Sequence, residues 1–274
     1  MVGVTYQLTG HMASERELGM SQLIEAMMPN KQRWMPQLAR LVSYHIAFDL
    51  IYLPAWTIGG AIVSGLVFPD SSYAITIIYH VLLGLALTST SIFFAAFFRK
   101  AQLSGITATI ISIVLAIIAQ IAVGGNGSTG AVVILSLLSP SCQYIFFLIT
   151  MARFQRGGRP MNLVETPPDS DWAISGIVFW VLAIVQIIVF PILGALVERA
   201  LYGTGSTDRE LYDSETSSGA HIAVKLTNFN KIYRTKGFLQ SFFRRKSQQV
   251  HAVKDLTLDV VQGQIAILLG ANGR

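Results

Sequence analysis

Residues 264–274, QIAILLGANGR, set a continuous apolar run, Ile265 to Leu269, directly before Gly270, Ala271, Asn272 and Gly273. A buried strand opening into a glycine-rich turn is the form of a phosphate-binding loop, G-x-x-x-x-G-K-[ST]. Its backbone N–H groups cradle phosphates, its lysine reaches the outer ones and its hydroxyl holds Mg2+. Gly270 supplies the first glycine, and Ala271, Asn272, Gly273 and Arg274 fill the four variable positions. The chain as given is therefore expected not to hydrolyse ATP, because it carries neither that lysine nor later carboxylates for Mg2+ and water. A second candidate lies far upstream. His45 and Asp49 stand one helical turn apart and share a face, within an apolar stretch where an ionisable residue is a functional candidate by default. Two readings stay open for this pair: a structural polar contact facing the bundle or a surface helix, and a lipid-headgroup site. A single cysteine, Cys142, allows no intrachain disulfide and argues against a thiolate metal site; no metal site is read.

The elements that must position these residues are mostly apolar helices. Hydrophobic residues make up 52% of the chain and charged ones only 13%, with a mean hydropathy of +0.53, which places it in the membrane class. The net charge of +5 points to membrane orientation rather than nucleic acid, because basic residues flank apolar runs. Spans are expected over residues 41–68, 73–98, 103–123 and 173–197, with a fifth apolar segment at 131–150. If the basic stretch with Lys31, Arg33 and Arg40 is cytosolic, the second span returns Arg99 and Lys100 to the same side. A cytosolic tail after residue 200 then needs an even number of further crossings. The segment at 131–150 is therefore expected to form an outer re-entrant hairpin, broken at Pro140 between Ser139 and Ser141. Arg153, Arg156 and Arg159 on the outer side run against the positive-inside tendency, offset by Glu165, Asp169 and Asp171.

Before the first span, Met20, Leu23, Ile24, Met27 and Met28 form one helical face. Ser14 with Glu17 reads as a capping box and Pro29 as a stop, giving an amphipathic surface helix over residues 14–28. Its methionines suit either docking of a nucleotide-binding domain or contact with lipid. Past residue 200 the character changes. Residues 203–220 form a polar glycine- and serine-rich linker, and two β-like runs follow at 222–227 and 250–260. Between them lies a basic insertion, residues 234–249, read either as a short amphipathic helix or as a solvated loop.

A membrane bundle, a polar linker, two strands and then strand–Gly-x-Asn-Gly is the order of ABC transporters. The sequence resembles in particular their A subfamily, the lipid exporters, in a fungal-type version. Three stretches carry the resemblance: Glu15 to Met28; Leu135 to Pro140; and the series Lys231–Tyr233, Ala252–Leu256, Gly263–Ile265, Leu268–Gly273. It implies a mainly α, polytopic bundle of four spans plus a re-entrant hairpin, followed by the first strands of an incomplete P-loop α/β domain. The domains would be a cytosolic segment with a coupling helix (1–40), part of an ABC-2-type transmembrane domain (41–200), a linker (201–220) and the start of the ATP-binding domain (221–274). Tyr233 matches the aromatic that stacks on adenine, and Gly270, Ala271, Asn272 and Gly273 would line the nucleotide site. The resemblance implies ATP and Mg2+ as cofactors of an intact parent transporter. It implies membrane lipids and the remaining transporter domains as partners, and export or flipping of lipids as the activity. Arg274, where the family has a small residue, departs from the pattern. Two rivals stand beside this reading. One is a non-catalytic truncated membrane protein or interaction subunit; the other is an ion-coupled carrier with His45, Asp49 and Gln120 along its path.

Overall fold

The computed structural model describes residues 2–27, 34–124, 128–170, 172–202, 222–235 and 248–261. They fall into two units, residues 1–203 and 204–274, each taken by itself.

The helical unit contains α1 (Val2–Glu17), α2 (Met20–Met27), α3 (Trp34–Ile62), α4 (Tyr73–Ala95), α5 (Ala101–Gly124), α6 (Thr129–Leu138), α7 (Pro140–Arg156) and α8 (Gly176–Tyr202). A π-helical turn, Val63–Val67, extends α3. Four helices are long and apolar enough to cross a membrane: Trp34–Val67, Tyr73–Ala95, Ala101–Ile121 and Gly176–Tyr202. They coincide with the four expected spans, but α3 begins seven residues before residue 41. Its first two turns carry Gln37 and Arg40, whose side chains find partners on α8 and so need not leave the helix.

α4 is the central helix. It packs against α3, α8, α1, α7 and α5, and its stretch from Ala86 to Ile92 is buried on every side without a charge. Thr88, Thr90 and Ser91 turn their hydroxyls back onto the carbonyls of Gly84, Ala86 and Leu87, at 3.3, 2.8 and 2.7 Å. Each of these three hydroxyls is thus satisfied within its own helix, and small side chains let neighbours come close. Gly84 marks the closest approach, for a Cβ there would collide with the Trp56 ring of α3.

The N-terminal region departs from the sequence reading. Ser14 caps no helix: its carbonyl accepts from the Leu18 amide at 2.9 Å as α1 runs through it. The chain turns at Gly19, whose φ of +72° suits glycine, and Met20, Leu23 and Ile24 of α2 are exposed. The reason is tertiary. Val4, Leu8 and Met12, spaced by four, are buried with Thr5 and Thr9, and α1 packs on α4 and α5. Residues 2–13 therefore build a helix of the bundle, although they contain few strongly apolar residues.

The segment expected at 131–150 is two helices broken at Ser139, whose extended backbone (φ −149°, ψ 131°) and side chain cap α7 while Pro140 occupies its first turn. α7 runs on to Arg156. Arg153 stacks over the Trp172 ring at 4.5 Å and donates to the Asp169 carbonyl, and Gln155 reaches Asp70 at 2.5 Å. A core of Tyr79, Phe146, Phe147, Phe154, Trp172 and Phe179 joins α4, α7 and α8 here.

The second unit shows β1 (Ile222–Thr235) and β2 (Gln248–Val261), paired antiparallel with several register shifts. Asn228 and Asp255 both take positive φ, 50° and 45°. Asn230 donates to Asp255 Oδ1 at 2.8 Å and accepts from its amide at 3.0 Å, so side-chain bonds replace the ladder at the irregularity. Residues 236–247, most of the basic insertion, and residues 262–274 lie outside the described residues.

Candidate functional site

Polar side chains along α1, α3, α4 and α8 form two groups within the helical unit. The first gathers where α1 ends. Arg16 donates through Nε to Glu198 Oε1 at 2.7 Å, and Arg40 of α3 binds the same oxygen. Gln37 adds a bond to Glu198 Oε2 at 3.1 Å and another to the Ala195 carbonyl at 2.9 Å. The other arm of Arg16 caps α4, donating to the carbonyls of Ala95 and Phe98, a favourable place for a cation at a helix C-terminus. Its guanidinium also lies 5.4 Å from the Tyr202 ring centroid. The flanking residues of α1 reach two more helices: Glu15 pairs with Arg40 at 3.6 Å, and Glu17 accepts from the first amide of α5, Ala101, at 3.1 Å. Three consecutive residues, Glu15, Arg16 and Glu17, thus tie α1 to α3, α4, α5 and α8. The Arg16 and Glu198 side chains are only 3% and 9% exposed, so this is a buried ion cluster, costly to leave half-paired.

The second group contains the sequence candidates His45 and Asp49. His45 Nδ1 lies 2.9 Å from Asp49 Oδ2, and His45 Nε2 lies 3.0 Å from Ser89 Oγ of α4. Ser89 Oγ is also 3.0 Å from the Leu85 carbonyl and 3.2 Å from the Ile187 carbonyl of α8. The pair faces α4, and the chain Asp49–His45–Ser89–Ile187 connects three helices. Ser89 is fully buried. This linear arrangement can hold and redistribute a proton; a reactant cannot reach a hydroxyl so enclosed.

Gln120, the third residue of the carrier alternative, is exposed on α5 and does not join this group. Tyr233 lies in β1 opposite Val250, with its side chain outside the described part. Gly270, Ala271, Asn272 and Gly273 also lie outside the described residues. Among the described residues, no group of three or more His, Cys, Asp or Glu could hold a metal ion.

No family model matches the chain. It is 22% identical over 293 aligned positions to the mouse (Mus musculus) protein named cholesterol transporter ABCA5, and 21% identical over 293 to the rat (Rattus norvegicus) protein of that name. Both alignments cover 98% of this chain and 17% of the relative. The chain is similar to A-subfamily ABC transporters. Both relatives are mammalian, so a fungal-type character gains no support. With its four apolar helices, the chain is a multi-pass membrane protein.

Arg16, Glu198 and Ser89 were not singled out as site residues by the sequence reading. Glu198 had a signal: it is an acid near the end of an otherwise apolar span, which calls for a buried partner. Ser89 had none, as one of four consecutive hydroxyl residues, Thr88 to Ser91.

Proposed function

We propose that this chain forms part of one membrane half of an ATP-driven ABC transporter of the A-subfamily type, moving lipid or another amphipathic molecule. One observation carries the reading: the similarity to the two relatives runs through nearly the whole chain, helical unit and β-hairpin together. In this reading residues from 221 onward begin the cytosolic ATP-binding domain. Tyr233 stacks on adenine, and Gly270 to Gly273 open the phosphate loop. ATP and Mg2+ would then act in the completed domain, with the remaining transporter domains as partners.

The reading also takes α6 and α7 as a re-entrant hairpin on the outer side. Its two ends support this. Thr129 Oγ1 accepts from the Ala173 amide just before α8, and Gln155 meets Asp70 just before α4. Its apex meets α8 at Gln186, which donates to the Ser136 and Leu137 carbonyls at 2.7 and 3.1 Å. Gln186 stands ten residues beyond Gly176, about 15 Å along the helix, or half of a hydrocarbon core of about 30 Å. A hairpin entering and leaving on one side leaves α8 to cross, which puts its end with Arg40, Arg99 and Lys100 in the cytosol.

The test is reconstitution of the intact protein that carries this chain, with ATP-dependent transfer of labelled sterol or phospholipid between leaflets as the readout. Transfer that needs hydrolysable ATP is expected; transfer that ignores ATP, or none for any lipid class, would sink the reading. The hairpin is tested separately with cysteines at Thr129 and Arg156, both of which should react with an impermeant reagent added from the outer side only.

A further inference from the structure

α8 contains Pro191 within its length. A proline has no N–H, so the carbonyl four residues earlier, Ile187, loses its helical donor. At that carbonyl sits the Ser89 hydroxyl, 3.2 Å away. Ser89 has one proton and three acceptors within reach: the Leu85 carbonyl, the Ile187 carbonyl and His45 Nε2. Leu85 is served by the ordinary α4 bond from the Ser89 amide, so the contest is between His45 and Ile187.

We propose that the His45–Asp49 pair is a proton-binding site whose occupancy decides whether Ser89 ties α4 to α3 or supplies the missing donor at the Pro191 bend of α8. Without the extra proton, His45 Nδ1–H donates to the Asp49 carboxylate, because the other tautomer would set a ring lone pair against it at 2.9 Å. Nε2 then offers only a lone pair. It accepts a hydrogen bond from the Ser89 hydroxyl, and the Ile187 carbonyl is left without a donor. When the pair binds one proton, Nε2–H donates to the Ser89 oxygen, and the Ser89 hydroxyl turns to Ile187. The added proton belongs to the pair as a unit, and no bond other than N–H and hydrogen bonds changes. The α4–α8 bond is therefore present below the titration of the pair and lost above it.

Other ionisable groups around His45 lie on known elements. α3 itself carries Tyr44 and Arg40; α1 brings His11, edge-on to Phe48, with Glu15 and Arg16 below. The α4 stretch from Leu85 to Ile92 has none. On α8 the nearest in sequence is Glu198, eleven residues past Ile187, or about 16 Å along the axis, and already held by Arg16 and Arg40.

The experiment uses the full chain in lipid nanodiscs, with Cys142→Ala and spin labels at Val181→Cys and Leu196→Cys, exposed positions on either side of Pro191. The label distance distribution is read across a pH series, and the His45 ring nitrogens are followed through the same series by 15N NMR. One shift in the distribution is expected, with its midpoint at the His45 titration. Pro191→Ala restores a backbone donor to Ile187, so the shift should vanish while His45 still titrates; in His45→Gln it should vanish as well. A wild-type distribution that does not move, or a shift that survives either substitution, overturns the proposal.

Discussion

Where α1 ends, Arg16 and Arg40 converge on Glu198, whereas toward the other end of the helical unit two amides bind backbone. Gln143 of α7 donates to the Phe179 carbonyl of α8, and Gln186 of α8 donates to the last carbonyls of α6. Both glutamines are buried, at 0% and 1% exposure. The two regions solve one problem in different ways. Helix ends carry carbonyls without intrahelical donors: Arg16 supplies donors to α4, and Gln186 supplies them to α6. A charged donor requires a counter-charge, so the Arg16 end recruits Glu198 and, through it, Arg40 and Gln37. A neutral amide needs no such company, and the bonds of Gln143 and Gln186 go to backbone carbonyls, with no charged partner among them.

This difference predicts unequal costs. Glu198→Ala should be the most damaging change, because it leaves two guanidinium groups without their shared partner; a loss of about 3–5 kcal/mol is expected. It is read from denaturant or thermal unfolding in lipid nanodiscs, and a cost below that of Gln186→Leu would reverse the comparison. Gln186→Leu strands the α6 carbonyls and should cost about 1–3 kcal/mol, with faster hydrogen exchange confined to α6 and the start of α7. Exchange that rises equally in α1 would show that the two ends are not independent.

Gly84→Ala tests the helix between them. The added methyl meets the Trp56 ring, and overpacking of this kind costs about 1–3 kcal/mol. Trp56→Leu in the same chain should recover most of it, and a double variant as unstable as the single one would locate the strain elsewhere. The smallest effect is expected in the β-hairpin. Asn230→Ala removes the bonds that bridge the register shift opposite Asp255, at about 0.5–1.5 kcal/mol, and should leave unfolding of the helical unit unchanged.

The spans were legible because each is a run of apolar residues longer than the bilayer core requires, a property of composition along the chain. The break at Ser139 and Pro140 was legible because a proline lacks a donor wherever it stands. His45 and Asp49 were readable as a pair because one helical turn separates them. Their third partner, Ser89, lies forty-four positions away on another helix, and no local pattern marks it among its neighbouring hydroxyls. The first helix was missed for a related reason: residues 2–13 are only mildly apolar, and what buries them is α4 and α5.

Sequence alone thus determined that this chain enters the membrane several times, where its helices break and which short-range pairs form, since these depend on transfer energies and on backbone chemistry within a few residues. The tertiary structure decided that α1 belongs to the bundle, that Glu198 is the shared anchor of two arginines, and that Ser89 stands at the carbonyl Pro191 leaves bare. Each of those rests on the meeting of residues remote in the chain, where burial without a partner is expensive and only packing supplies the partner.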